Sequence, residues 1–305
     1  MENLTWSQAR LNFKSHLLLE RNLADNSVSA YLRDLQKLEQ FLELLPDVVP
    51  PPSEVQSRHL QDFLIWLNEL GLGARSQARL LSALKTFYRF LLLENFTAQD
   101  PTELLEAPRL GRKIPEVLSH DEVEAVLASV DLSHPQGHRN RAILETLYAC
   151  GLRVSELCEL RVSNLFLDIN VIKVLGKGGK ERLVPIGPRA VRMIRIYEQQ
   201  IRRQQVNIAS GHENILFLNR RGKKLSRVMV FNIVKAAAAA AGISKSVSPH
   251  TFRHSFATHL VEGGADLKAV QDMLGHESII TTEMYTHLNM DYLRATILQY
   301  HPMNQ

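Results

Sequence analysis

A chain of 305 residues, 45% hydrophobic and 22% charged, is long for one core and suits two folded domains. Its two cysteines, Cys150 and Cys158, exclude a disulfide scaffold or a thiolate metal cluster and suit a reducing compartment. The net charge of +4 is unevenly spread: residues 1–112 carry 12 Lys+Arg against 14 Asp+Glu, and residues 113–305 carry 24 against 18. That excess in the second part favours a polyanionic substrate there. The N-terminus lacks the basic-then-apolar build of a signal peptide, and no apolar run reaches the roughly 18 residues of a membrane span. The expectation is a cytoplasmic protein with no membrane partner.

Four helices are predicted in the first hundred residues. Thr5 and Gln8 form a capping box for a helix reaching Glu20. Asn26 is the expected cap of the second, whose Val28, Tyr31, Leu32, Leu35, Leu38, Phe41, Leu42 and Leu45 recur at spacings of three and four until Pro46. A third covers Ser57 to Leu70, closed by Gly71 and Gly73. The fourth, Ala74 to Glu94, turns Leu80, Leu81, Leu84, Phe87, Tyr88 and Leu91 inward, with Arg75, Arg79, Ser82, Lys85 and Arg89 mostly on other faces. Those polar residues read either as solvated surface or as a helix laid along a DNA groove. Residues 106–115 hold Pro108, Gly111 and Pro115 with Arg109, Arg112 and Lys113. This reads as a basic linker, 108–115, between domains 1–107 and 116–305.

The second domain opens on another capping box, Ser119 with Glu122, and a helix from His138 to Cys150 ends at Gly151. Asn170–Val174 and Arg182–Ile186 read as strands joined by the glycine-rich stretch 175–181, and a second strand pair is expected at Ile215–Leu218 and Lys223–Ser226. Helices follow: one through the alanine run 236–241, one from Pro249 to Gly263, one ending at Gly275, and a last at Asp291–Tyr300. The fold class is therefore a mainly α, two-domain protein: a four-helix N-terminal domain and an α+β domain with small antiparallel hairpins.

The chemistry-bearing residues are Arg153, Lys177, His250, Arg253, His276 and Tyr285. Phosphodiester cleavage needs a nucleophile, charge neutralisation on the non-bridging oxygens, and a proton for the departing oxygen. Arginine suits the second task because its planar fork donates paired hydrogen bonds. A phenol with its ordinary pKa of about 10 needs a cationic surround to attack at neutral pH. Arg153 could equally pair with Glu156 three residues on, and Lys180 competes with Lys177 on the same hairpin. His254 and His259 read as structural. A metal site is disfavoured, since the histidine spacings match no metalloprotease helix and the polar neighbours are arginines. There is no Gly-x-Ser-x-Gly elbow, and Glu181 breaks the phosphate-loop pattern after Lys180.

The segments Leu147–Leu157, Gly176-Lys177-Gly178, His250–His259, Leu274-Gly275-His276 and Thr281–His287 together resemble the tyrosine recombinase (lambda-integrase) family, most closely the bacterial XerC/XerD recombinases. The resemblance spans essentially the whole chain. It implies an N-terminal core-binding (SAM-like) domain and a catalytic domain. It implies that Tyr285 attacks the scissile phosphate to form a 3′-phosphotyrosyl link, that Arg153 and Arg253 hold the non-bridging oxygens, and that Lys177 protonates the leaving 5′-oxygen. His250 would assist proton transfer from the tyrosine, and His276 would donate to the phosphate. Arg75, Arg79, Ser82, Lys85, Arg112, Lys113 and Lys180 would contact DNA.

The resemblance further implies no cofactor and no metal, because the phosphotyrosyl link conserves bond energy. It implies double-stranded DNA as substrate and a second Xer-type recombinase in a heterotetramer that resolves chromosome dimers through a Holliday junction. A septal DNA translocase is a further partner it admits. The C-terminal helix would dock into a neighbouring protomer. Integrase, transposon and integron recombinases, a type IB topoisomerase and a catalytically silent DNA binder are the alternatives. The start of the chain almost on its first core helix favours the compact chromosomal type.

Overall fold

The computed structural model describes residues 4–46, 48–108, 111, 116–176, 179–275 and 287–304. Two compact units divide the chain, Met1–Lys113 and Ile114–Gln305.

In the first unit α1 (Trp6–Leu19) starts at Thr5, whose hydroxyl accepts from the Gln8 N–H while the Gln8 side chain accepts from the Thr5 N–H. The second helix, α2 (Asp25–Leu42), begins earlier than the sequence suggests. Ala24 takes the cap position with no side-chain hydrogen bond, and Asp25 supplies a negative charge to the first turn. Asn26 lies inside the helix, so its capping role is not realised. Helices α3 (Ser57–Glu69) and α4 (Ala74–Leu93) follow.

Phe13, Leu35, Leu38, Phe63, Leu84 and Phe87 are fully buried where the four helices meet. Phe87 stands edge-on to Phe13 at 5.2 Å, a favoured arrangement of ring quadrupoles. This unit's helical core also holds a buried charge. Asp34 of α2 is 1% exposed and accepts both arms of the Arg79 fork from α4. Burial pushes its carboxyl up, against the pull of Arg79.

The second unit is built around α6 (Gly137–Cys150), whose residues 142–150 are all buried. A helix covered on all sides is a core helix. It packs on α8 (Pro188–Tyr197) and α10 (Pro249–Glu262), while α5 (His120–Ala128) is capped by the Ser119–Glu122 box and packs on α9 (Arg227–Ala240). Glu145, with no exposure at all, is held on α6 by Arg141 and Arg189. Gly151 ends α6 in the left-handed region at φ 56°. A Cβ there would lie 2.4 Å from the Phe256 ring, so glycine is required both for conformation and for space.

The sheet has three antiparallel strands in the order β1 (Leu165–Phe166), β2 (Val171–Leu175), β3 (Glu181–Pro185). Leu175 pairs with Glu181, and the Gly176 N–H donates to the Lys180 carbonyl to close the hairpin. The second strand pair expected from the sequence is not a ladder. Ile215 bridges Arg161 instead, and only Leu218 and Lys224 face each other, around a turn that Gly222 permits at φ 69°. Buried Phe217, stacked on Tyr197, shows why the apolar run reads like a strand: it is core filler in a tight loop.

Helix α11 (Leu267–Leu274) ends at Gly275, and α12 (His287–Tyr300) closes the unit. Met290, Leu293 and Ile297 of α12 are buried against its own unit, which it meets at β3, α10 and α11. Leu298, on the same helix, is 52% exposed. Beyond α12, His301 is 1% exposed and stands edge-on to Tyr148 at 4.8 Å.

Candidate active site

Arg153 occupies the junction between α6 and α7 (Val154–Cys158) as the cap residue of α7. Its backbone N–H donates to Glu156 Oε2 and its Nη1 to Glu156 Oε1, both at 2.8 Å, while Nη2 donates to the Gly275 carbonyl at 3.1 Å. The pairing with Glu156 left open by the sequence is therefore present, yet it engages only one arm of the fork.

Arg253, on the first turn of α10, donates Nη1 to the Gly151 carbonyl at 2.7 Å and Nη2 to the Leu274 carbonyl at 2.8 Å. Among the described residues, each of these two arginines has two of its five side-chain N–H groups engaged. A third arginine, Arg182 of β3, sends Nε to the Met273 carbonyl at 2.9 Å and both Nη groups to Glu156 at 2.8 and 2.9 Å.

Three consecutive carbonyls at the end of α11, those of Met273, Leu274 and Gly275, thus accept from three different arginines. A helix C-terminus offers unpaired carbonyls and the negative end of its dipole, so it gathers cations. Burial and crowding both act on Arg253. Burial, then the neighbouring charges of Arg153 and Arg182, pull the Arg253 pKa down to about 10, with Glu156 opposing. Burial pushes the Glu156 carboxyl up, but Arg182 and Arg153 outweigh it and hold it below the usual carboxylate range. Two guanidiniums thereby stand rigidly in one place with donors to spare, an arrangement suited to a tetrahedral dianion or a phosphodiester.

His250 is exposed at the start of α10, three residues before Arg253. Lys180 is exposed beside the hairpin turn. Lys177, His276, Tyr285, Arg112 and Lys113 lie outside the described residues. His259 is buried and bonds Tyr148 Oη at 2.7 Å, the structural part the sequence assigns it.

On the first unit, Arg75, Ser82 and Lys85 share a polar face of α4, with Arg75 and Ser82 exposed. Ser82 and Lys85 line a groove of about 290 Å³ together with Arg21 and Arg89. Arg79 lies on the same helix, its fork committed to Asp34. Arg21, just past the end of α1, has no periodic signal that would place it beside α4.

Arg182 is the residue sequence reasoning missed at the site. A signal existed: Arg182 shares the buried face of β3 with Val184 at spacing two, and a charge at such a position demands partners.

The pattern of the phage integrase family matches residues 116–291, and that of the phage integrase N-terminal SAM-like domain matches residues 12–95. The chain belongs to the phage integrase family of tyrosine recombinases. It is 43% identical over 284 residues to tyrosine recombinase XerD of Staphylococcus saprophyticus, covering 93% of this chain and 95% of the relative. It is 43% identical over 300 residues to the XerD of Chlorobaculum tepidum, covering 97% of both. The recombinase also shares its fold with XerH site-specific recombinase solved on its difH substrate before cleavage (TM-score 0.67, 22% identity, 90% of this chain and 79% of that one). A lambda integrase dimer on a COC′ core site is similar to the same degree (TM-score 0.67, 19% identity, 89% and 95%). This recombinase is accordingly an enzyme of DNA strand transfer, acting at specific sites through a phosphotyrosyl intermediate.

Proposed function

We propose that the recombinase cleaves double-stranded DNA with Tyr285 as nucleophile and resolves chromosome dimers with a second Xer-type partner. The observation that carries the first part is the pair Arg153 and Arg253, anchored on adjacent carbonyls, Gly275 and Leu274, with donors left over. The Tyr285 oxygen attacks phosphorus, the bond from phosphorus to the 5′-oxygen breaks, and a 3′-phosphotyrosyl link forms. Lys177 gives the 5′-oxygen its proton, His250 assists removal of the phenol proton, and His276 donates to a non-bridging oxygen. Arg153 and Arg253 neutralise the charge that grows on the phosphoryl oxygens. Rejoining reverses the steps with a 5′-hydroxyl from another strand, so the number of phosphodiester bonds is unchanged.

Residues 1–107 form the core-binding DNA domain and 116–305 the catalytic domain, joined by 108–115. Arg75, Arg79, Ser82, Lys85, Arg112, Lys113 and Lys180 meet the DNA, Arg79 through the N–H groups that Asp34 leaves. The C-terminal helix α12 docks on a neighbouring protomer in the synaptic tetramer by leaving its seat on its own unit. The enzyme works in the cytoplasm, with a septal translocase as activator. The near full-length likeness to proteins named XerD supports the dimer-resolution part.

A nicked suicide substrate carrying a dimer-resolution site tests both parts. A 3′-linked covalent adduct with wild-type protein and none with Tyr285→Phe is expected. Completion of recombination on adding the partner recombinase supports dimer resolution. An adduct that persists in Tyr285→Phe overturns the choice of nucleophile.

A further inference from the structure

The buried guanidinium of Arg182 is 6% exposed, and its hydrogen bonds run to Glu156 and the Met273 carbonyl. It therefore does not reach a substrate phosphate. What it does is decide how much of Arg153 remains available. Glu156, itself 4% exposed, is shared: Arg182 takes both carboxylate oxygens, and Arg153 takes one with a single arm of its fork. A carboxylate prefers a bidentate partner. With Arg182 absent, Arg153 is, among the described residues, the only guanidinium hydrogen-bonded to Glu156, through Nη1 and its backbone N–H, and its fork would turn further onto the oxygen positions Arg182 vacates, since an under-paired buried carboxylate is costly. The charge of Arg153 would then be spent on Glu156.

Arg182 also fixes geometry. It leads β3 directly after the hairpin turn, and its Nε grips the last turn of α11, which runs into Gly275 and then His276. Through Glu156 it reaches the Arg153 junction as well. One side chain thus ties the hairpin strand, the α7 cap and the α11 terminus into a single frame.

We propose that Arg182 is a positioning residue: by occupying Glu156 it reserves the charge and N–H groups of Arg153 for the scissile phosphate. This rests on the reading of Arg153 as a phosphate clamp, and the test separates the two. Single-turnover cleavage and DNA affinity are measured for wild type, Arg182→Met, Arg182→Lys and Arg153→Ala. Each is assayed on a phosphodiester and on a substrate with an uncharged methylphosphonate at the scissile position, with thermal melting to confirm folding.

Arg182→Met is expected to cleave the phosphodiester on the order of 10²-fold more slowly, the scale of a misplaced reacting group. DNA affinity should stay within about twofold, since binding draws on many phosphates outside the site. On the methylphosphonate, which has no charge to neutralise, the penalty should shrink to about threefold, in parallel with Arg153→Ala. Arg182→Lys should show the same dependence on substrate charge at smaller amplitude, because an ammonium reaches Glu156 without the fork. That variant decides the matter if Arg182→Met does not fold.

Equal penalties on both substrates, or none, in variants whose Arg153→Ala counterpart is charge-dependent would overturn the proposal. An Arg153→Ala protein that cleaves the phosphodiester like wild type would instead overturn the clamp reading.

Discussion

Gly275 and Arg182 approach so closely that a Cβ on Gly275 would stand 3.1 Å from Arg182 Cδ and 3.2 Å from its Cζ and Nε. Gly275 also sits at φ 64°. Space and conformation therefore both require glycine at the point where α11 releases its carbonyls to the arginines. Gly275→Ala is expected to cost about 1–2 kcal/mol from the left-handed backbone. Because the added methyl presses on Arg182, cleavage should fall further than stability, by roughly 10-fold or more. Urea unfolding read beside single-turnover adduct formation checks this. Loss of stability without loss of rate would show that the contact does not shape the site.

Acid should weaken the second unit at His301. Burial, with His259 and His120 adding their charges, pulls the His301 pKa down to about 4. An unfolded histidine titrates near 6.5. The unfolded chain therefore binds the extra proton first, so stability is full above pH 6.5 and falls as pH drops from there toward 4. The loss attributable to this ring is on the order of 3 kcal/mol. His301→Phe, which keeps the aromatic contact with Tyr148, should flatten the acid limb of the melting temperature between pH 6.5 and 4. An unchanged limb would place the titration elsewhere.

The basic face of α4 divides into anchors and free cations. Arg79→Ala leaves buried Asp34 without its fork, a loss of roughly 1–3 kcal/mol, moderated because Arg79 is half in solvent. Arg75→Ala touches no such partner among the described residues and should stay within about 0.5 kcal/mol. In DNA binding, Arg75→Ala and Lys85→Ala should each reduce the salt slope of log K by about 1 while leaving sequence preference intact. Chemical denaturation and titrations at several salt concentrations separate the two behaviours.

The groove lined by Arg21, Ser82, Lys85 and Arg89 gives a related expectation for a residue the sequence does not single out. Arg21→Ala should weaken DNA binding with a salt-slope change of about 1, as Lys85→Ala does, if the groove follows the DNA backbone. Binding indistinguishable from wild type would leave Arg21 as solvated surface.

Much of this protein was legible in the sequence because the signals are local. The Thr5–Gln8 and Ser119–Glu122 boxes start helices where they stand, and Gly151 and Gly275 end them, since capping and left-handed φ depend on a few neighbouring residues. Apolar spacing placed the four helices of the first unit. Residues 215–218 and 223–226 have strand-like composition, but hydrophobic burial in a loop satisfies that composition without a ladder. Only the tertiary structure decided that Arg182, 26 residues from Glu156 and 91 from Met273, would share a carboxylate with Arg153, and that Asp34 would claim Arg79 across 45 residues. Ion pairs of that kind have no period and no fixed spacing. They exist because burying a charge is costly unless a partner arrives from elsewhere in the chain, and folding alone chooses which one does.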